Sequence, residues 1–237
     1  MVESMAVPAK RILLVEDEAQ IRKFLRISLE ANGYMVMEAR LGAIGLGLCS
    51  SEKPDLVILD LGLPDMDGQA FIRSLREWSQ VPVLVLSVRS QEEDKVHALD
   101  AGANDYMTKP FGIRELVARI KVLSRSSAAA DQVVTEFSLG GLRLDLPSRT
   151  LHVDGKAVHL SRKEYDLLHL LASRPGQIFT HQQILSKVWN PGRANETHYL
   201  RVLVGQLRAK LGDDPANPRF IVTVQGVGYR LAEEEQG

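Results

Sequence analysis

Apolar and polar positions follow two different rhythms along the chain. Over residues 10–123, short runs that are apolar at consecutive positions alternate with amphipathic stretches. Arg11-Ile12-Leu13-Leu14-Val15, Asp55-Leu56-Val57-Ile58-Leu59-Asp60 and Pro82-Val83-Leu84-Val85-Leu86-Ser87 are of the first kind. Such runs suit strands buried on both faces of a parallel sheet. Ala19 to Asn32 has helical spacing and runs into Gly33, a residue suited to a left-handed C-cap. Further helices are predicted over Gln69–Trp78 and over Ile113–Ser124, the latter with Leu116, Ile120 and Leu123 on one face. Strands and helices in this alternation predict a doubly wound α/β domain.

The rhythm breaks at Ser124-Arg125-Ser126-Ser127-Ala128-Ala129-Ala130-Asp131, which is small and polar with no apolar period. A linker is predicted over 124–134 and a second domain over 135–232. There, short strands flank Gly140-Gly141 and Asp154-Gly155, the second a good hairpin turn. Ser161 followed by Glu164 has capping-box spacing and opens a helix. Helices follow over Thr180–Trp189 and Thr197–Leu211, and two short strands surround Gly226-Val227-Gly228. No internal repeat is present.

Composition narrows the function classes. In 237 residues, 29 basic side chains face 30 acidic ones, a net charge of -1. Nucleic-acid binding therefore requires a local basic surface. Hydrophobic content of 45% is ordinary for a globular protein. Cys49 is the only cysteine, which excludes an internal disulfide framework and a cysteine-based zinc site. The opening residues lack an apolar signal core, and no run approaches the roughly 18 apolar residues of a membrane span. A cytoplasmic protein without membrane contact is expected.

Candidate chemistry gathers at one edge of the predicted sheet. In open parallel sheets, ligands bind beyond the carboxyl ends of the strands. Glu16-Asp17 follows the first strand, Asp60 ends the third, Ser87 ends the fourth, and Lys109-Pro110 follows a fifth at Asp105–Thr108. Three neighbouring carboxylates repel one another unless a cation joins them, and Mg²⁺, a hard ion taking oxygen ligands, meets that need. With Mg²⁺ and Lys109 neutralising an incoming phosphoryl group, the Asp60 carboxylate attacks it in line. Ser87 offers a hydroxyl donor to its oxygens. Taken singly, an Asp at a strand end is more often a cap and a Lys-Pro more often a turn. Their coincidence at one edge favours the phosphoryl site.

Leu14-Val15-Glu16-Asp17-Glu18, Asp60-Leu61-Gly62-Leu63-Pro64-Asp65-Met66-Asp67-Gly68 and Gly102-Ala103-Asn104-Asp105-Tyr106-Met107-Thr108-Lys109-Pro110-Phe111 resemble, in order, the signatures of response-regulator receiver domains, which are flavodoxin-like. The resemblance implies Asp60 as phosphoacceptor, with Glu16, Asp17, Asp60 and the Gly62 carbonyl on Mg²⁺. It implies Ser87 and Tyr106 as a switch pair, Lys109 as the phosphoryl clamp, and a cis peptide before Pro110. In the winged-helix (OmpR/PhoB-type) branch it further implies intermolecular pairs in a homodimer formed on phosphorylation. These pairs are Lys95 with Glu115, Asp100 with Lys121, and Asp105 with Arg119; otherwise the same charges form a solvated face.

Residues Glu136 to Leu231 resemble the winged helix-turn-helix of the same regulators. The likeness is carried by Leu160-Ser161-Arg162-Lys163-Glu164-Tyr165-Asp166-Leu167-Leu168 and Val224-Gln225-Gly226-Val227-Gly228-Tyr229-Arg230. Leu200, Leu203, Val204, Leu207 and Leu211 form the apolar stripe of the Thr197–Leu211 helix, which fits the major groove of promoter DNA. His198, Arg201, Val202, Gly205 and Gln206 are its best-placed base readers, with Arg208 and Arg230 on phosphate. Gly205 inside a helix costs about 1 kcal/mol relative to alanine; close approach to DNA or internal packing would account for it. Gln225 stands where some relatives place a minor-groove arginine, which weakens groove insertion by this wing. By resemblance, Trp189–Glu196 is a contact for RNA polymerase and a sensor histidine kinase is the phosphoryl source.

Asp60-Leu61-Gly62-Leu63-Pro64, Arg76-Glu77-Trp78-Ser79-Gln80-Val81-Pro82 and Thr197-His198-Tyr199-Leu200-Arg201 resemble the branch that regulates potassium-transport operons. Two rivals stand beside this phosphorylation-dependent transcriptional regulator. One is a phosphorylation-independent DNA-binding protein that uses its receiver only to dimerise, against which the intact acidic set argues. The other is an aspartyl-phosphate hydrolase. Such enzymes want a second carboxylate two residues after the nucleophile, where Gly62 offers no acid or base, so an enzyme is not expected.

Overall fold

The computed structural model describes residues 10–128, 136–189 and 197–232. The chain divides into two compact units between Ser127 and Ala128.

In the first unit, strands β1 (Arg11–Val15), β2 (Met35–Ala39), β3 (Leu56–Asp60), β4 (Val83–Ser87) and β5 (Asp105–Thr108) alternate with helices α1 (Ala19–Ala31), α2 (Gly42–Glu52), α3 (Gly68–Arg76), α4 (Glu92–Asp100) and α5 (Ile113–Ala128). The sheet is parallel throughout, in the order β2-β1-β3-β4-β5. β3 and β4 are buried at every position, because consecutive apolar residues feed both faces. On one face Ile12, Leu14, Ile58, Leu84, Leu86 and Met107 pack with Leu25 and Leu29 of α1 and Leu116, Ile120 and Leu123 of α5. On the other, α2 comes so near β1 that a Cβ at Gly45 would lie 2.9 Å from Val15. Gly33 has φ +85 just past α1, as a left-handed C-cap requires.

The predicted linker start is corrected here. α5 runs through Ser124 to Ala128, since this serine- and alanine-rich stretch has neither a proline nor a glycine to stop a helix already under way. α3 ends at Arg76, two residues before the predicted Trp78.

The second unit opens with the antiparallel sheet β6 (Glu136–Leu139), β7 (Leu142–Asp145), β8 (Thr150–Val153) and β9 (Lys156–Val158). Asp154 and Gly155, at φ 49 and 77, make the tight turn between β8 and β9. α6 (Arg162–Ala172) begins with a complete capping box between Ser161 and Glu164. The two-residue strand β10 (Phe179–Thr180) leads into α7 (His181–Val188), whose capping box joins Thr180 and Gln183. α8 (Thr197–Leu211) and the hairpin of β11 (Ile221–Val224) and β12 (Gly228–Leu231) complete the unit. β10 pairs with β12, and at Gly228 a Cβ would meet the Phe179 carbonyl oxygen at 1.9 Å. Leu167, Leu168 and Leu171 of α6, Ile184 and Leu185 of α7, and Leu200, Leu203, Val204, Leu207 and Leu211 of α8 share one core.

Candidate functional site

Parallel strands deliver their carboxyl ends to a single edge, and the neighbouring order β2-β1-β3 makes that edge a topological switch point. Glu16 leaves β1, Asp60 closes β3, Ser87 closes β4 and Lys109 leaves β5. Glu16, Asp17 and Asp60 each bring a carboxylate oxygen to within 4.8 Å of the others. Lys109 Nζ lies 2.8 Å from Glu16 Oε2 and 3.4 Å from Asp60 Oδ2. Glu16 is 1% exposed and Asp60 8%, whereas Asp17 is solvent-accessible.

Burial pushes the Glu16 carboxyl up and the Asp60 charge adds to this, while the hydrogen bond from Lys109 pulls the other way. Burial alone would depress the Lys109 ammonium, but its hydrogen bond to Glu16 and the Asp60 charge outweigh it and hold the pKa above the usual value. One ammonium against three carboxylates leaves net negative charge in a mostly dehydrated pocket. A hard divalent cation with oxygen ligands suits such a donor set, and the accessible Asp17 side leaves room for its waters.

The loops that carry these groups are tied down by side chains that sequence reasoning missed. Arg22 of α1 donates to the carbonyls of Glu16 at 2.8 Å and Asp17 at 3.0 Å. Asp65, in the loop after β3, accepts the backbone N–H groups of Gly42 and Ala43 at 2.8 and 3.0 Å. Those two bonds hold its carboxyl below the ordinary range. Neither residue carries a local signal, because its partners lie on a different element or loop.

Ser87 is 2% exposed and accepts from the Arg89 amide at 3.2 Å. Tyr106 is turned inward, 7% exposed, and its hydroxyl donates to the Arg89 carbonyl at 2.7 Å. Both residues thus grip the chain after β4. Gly62 has open space beside Asp60: an added Cβ would meet only Asp60 Oδ2, at 3.5 Å. The Lys109-Pro110 peptide is cis.

On the edge formed by α4, β5 and α5, Lys95 is half-buried while Asp100, Glu115 and Lys121 are exposed. Arg119 pairs within its own chain, 2.6 Å from Asp105 and 2.9 Å from Glu115.

In the second unit, His198, Arg201, Val202, Gly205 and Gln206 lie together on the exposed face of α8. Gln225 is exposed in the β11–β12 turn, and Arg230 is half-buried on β12. Arg208 is a correction. It is 9% exposed and donates inward to the Ile221 carbonyl at 2.6 Å and to Thr223 Oγ1 at 2.9 Å. It is therefore a brace between α8 and β11 rather than a phosphate contact. Its partner Asp213, 3.8 Å away, accepts the amides of Arg219, Phe220 and Ile221. The predicted polymerase contact, but for Trp189, lies outside the described residues.

The model of the response regulator receiver domain matches residues 12–121, and that of the C-terminal domain of transcriptional regulatory proteins matches residues 155–231. The chain is 50% identical over 222 residues to the KDP operon transcriptional regulatory protein KdpE of Escherichia coli, covering 93% of this chain and 98% of the relative. The chain belongs to the OmpR/PhoB-type response regulators. A second relative, the transcriptional regulatory protein KdpE of Mycobacterium tuberculosis, is 45% identical over 221 residues, with 93% and 98% covered. A solved RitR variant shares 31% identity at a TM-score of 0.51, covering 95% of this chain and 100% of that one. The protein is accordingly a phosphorylation-dependent transcription regulator, of a family that takes its phosphoryl group from a sensor kinase and acts on DNA. Among the described residues, no helix is long and apolar enough to cross a membrane.

Proposed function

We propose that this response regulator accepts a phosphoryl group on Asp60 and, as a homodimer, binds the promoter of a potassium-transport operon. The phosphoacceptor assignment is supported above all by Lys109, whose ammonium stands within 3.4 Å of both Glu16 and Asp60 at the switch point of the sheet. The operon is supported by the KdpE relatives.

An Asp60 carboxylate oxygen forms its bond to phosphorus as the bond from phosphorus to the donor's leaving atom breaks, with the electron pair departing on that atom. Glu16, Asp17, Asp60 and the Gly62 carbonyl would hold a Mg²⁺ ion, which would neutralise charge on the phosphoryl oxygens. Lys109 adds a fixed positive charge on the buried side, and the Ser87 hydroxyl is placed at the end of β4 to donate a hydrogen bond. Engaging Ser87 withdraws it from the Arg89 amide, while Tyr106 holds the Arg89 carbonyl, so phosphorylation reshapes the chain between β4 and α4. That chain borders the edge carrying Lys95, Asp100, Asp105, Glu115, Arg119 and Lys121, where a two-fold dimer sets its register. In the dimer, α8 presents His198, Arg201, Val202, Gly205 and Gln206 to the major groove. Arg230 and Gln225 lie at the hairpin beside it, and Trp189–Glu196 is the proposed contact for RNA polymerase. The setting is cytoplasmic. Gly62, with no acid or base, leaves the acyl phosphate as a signal rather than an intermediate in turnover.

The test is labelling by acetyl phosphate with Mg²⁺, read alongside promoter footprinting. Wild type is labelled and protects the promoter of the potassium-transport operon at lower concentration once phosphorylated, and Asp60→Asn does neither. Equal labelling of the variant refutes the acceptor; equal protection with and without donor favours a receiver that serves only for dimerisation.

A further inference from the structure

Gly205 stands in the interior of α8, where glycine is among the least favourable residues because it has the most backbone freedom to lose. Two uses of a glycine inside an element are a positive φ and close approach by a neighbour. Gly205 is not among the glycines with positive φ. Nor does the folded chain crowd it: a Cβ built there meets no atom within 4 Å. A Cβ at Gly45 meets Val15 at 2.9 Å and one at Gly68 meets the Leu61 backbone at 2.6 Å, whereas Gly47 of α2 is as open as Gly205; what sets Gly205 apart is the face of α8 on which it stands. Internal packing, one of the two explanations open from the sequence, is thereby removed.

We infer that the duplex itself excludes a side chain at position 205: the DNA comes against the α8 backbone there, nearer than a side chain would permit. This inference rests on the DNA-facing reading of α8. Gly205 follows His198 by seven residues, Arg201 by four and Val202 by three, so all of them line one face. Arg201 and Gln206 flank it with longer side chains that are exposed. For those two to reach base edges at hydrogen-bond distance, the helix axis has to sit deep in the groove. A bare Cα between them allows that depth, and a side chain would hold the helix off. Stability and binding then pull in opposite directions at this residue, whereas a role in packing would move them together.

The experiment uses the full chain with Gly205→Ala and Gly205→Leu, both better helix formers than glycine. Thermal unfolding is followed, and affinity is measured for a duplex that the phosphorylated wild-type chain selects from a random-sequence pool. Both variants are expected to melt at higher temperature than wild type. The alanine variant binds more weakly, and the leucine variant weaker still by roughly tenfold or more, the scale of one badly fitted base pair. A leucine variant that binds like wild type overturns the inference, as does weakened binding accompanied by a lower melting temperature, which signals an internal role. Failure of the wild-type chain to enrich any duplex refutes the DNA-facing reading of α8 itself, and the inference with it.

Discussion

Arg119 closes on Asp105 of its own chain at 2.6 Å, and the same guanidinium reaches Glu115 at 2.9 Å. Asp105 is 4% exposed, so its carboxylate depends on this partner for compensation. Burial disfavours the guanidinium charge, but the Asp105 and Glu115 carboxylates outweigh it and raise its pKa. The proposed pair across a dimer would therefore draw on the same side chain as the pair within one chain. Arg119→Glu would bring three carboxylates together and is expected to abolish phosphorylation-dependent self-association. It should also destabilise the receiver by about 3 kcal/mol, as breaking buried pairs does. Arg119→Lys keeps the charge but loses the fork, so it should stay folded and associate more weakly. Sedimentation with and without phosphoryl donor reads both, and unchanged association in the glutamate variant would rule out a role at the dimer face.

Arg208 offers a clean distinction between holding a helix and touching DNA. Its Nη2 bonds to Ile221 and Thr223 fix the end of α8 to β11, with Asp213 alongside. Arg208→Ala should lower the stability of the winged-helix unit by about 3 kcal/mol, because Asp213 stays buried without its counter-charge. Affinity for DNA should fall as well. A lost phosphate contact reduces the slope of log affinity against log salt by about one, whereas a lost brace leaves it unchanged. An unchanged slope is expected for Arg208→Ala, measured at temperatures where the variant is folded. A slope smaller by one would restore the phosphate contact.

The same contrast explains what was legible in the sequence. β1, β3 and β4 are readable because burial on both faces leaves an unbroken apolar run. The edge strand β2, exposed at Met35 and Glu38, has no such run, and α2 is too rich in glycine and too uniformly apolar for a helical stripe. The acidic pocket is legible because Glu16, Asp60 and Lys109 each sit at a strand end that the topology must bring to one edge. Arg208 was misread because a basic residue on an amphipathic helix looks solvent-facing until β11, more than ten residues later, folds back over it. Arg22 and Asp65 were invisible for a similar reason: hydrogen bonds to backbone groups elsewhere leave no pattern in composition.

Lys109 should separate phosphoryl chemistry from cation binding. With its ammonium replaced in Lys109→Gln, the carboxylates of Glu16, Asp17 and Asp60 keep their places and their attraction for a cation strengthens. Titration calorimetry should thus show Mg²⁺ bound at least as tightly as by wild type. Labelling by acetyl phosphate, which uses the ammonium for the incoming charge, should fall by about a hundredfold. Removal of Mg²⁺ with a chelator should stop labelling in both proteins. Undiminished labelling in the variant would remove Lys109 from the phosphoryl site.

Glu164 ties a helix start to α8 and brings a pH dependence to the second unit. Its Oε2 accepts from the Ser161 amide at 2.6 Å and lies 2.7 Å from Lys210 Nζ at the end of α8. Burial works to raise the carboxyl pKa, but the Lys210 and Ser161 hydrogen bonds prevail and lower it from the ordinary 4.5. A depressed folded pKa means that the folded state binds the proton less readily than the unfolded chain. The stabilisation is therefore fully present above pH 4.5 and is lost as pH falls through the lower folded value. Glu164→Gln tests this with little collateral change, because Gln183 already closes the equivalent box in α7 with an amide oxygen, 3.1 Å from the Thr180 amide. Lys210 is 40% exposed, so solvent screening limits the ion pair to about 1 kcal/mol. Urea denaturation at neutral pH should show the glutamine variant less stable by about that amount, with the gap closing as the pH falls below 4.5 and through the lower folded value. A gap that persists into acid would mean that packing, rather than charge, holds Glu164 in place.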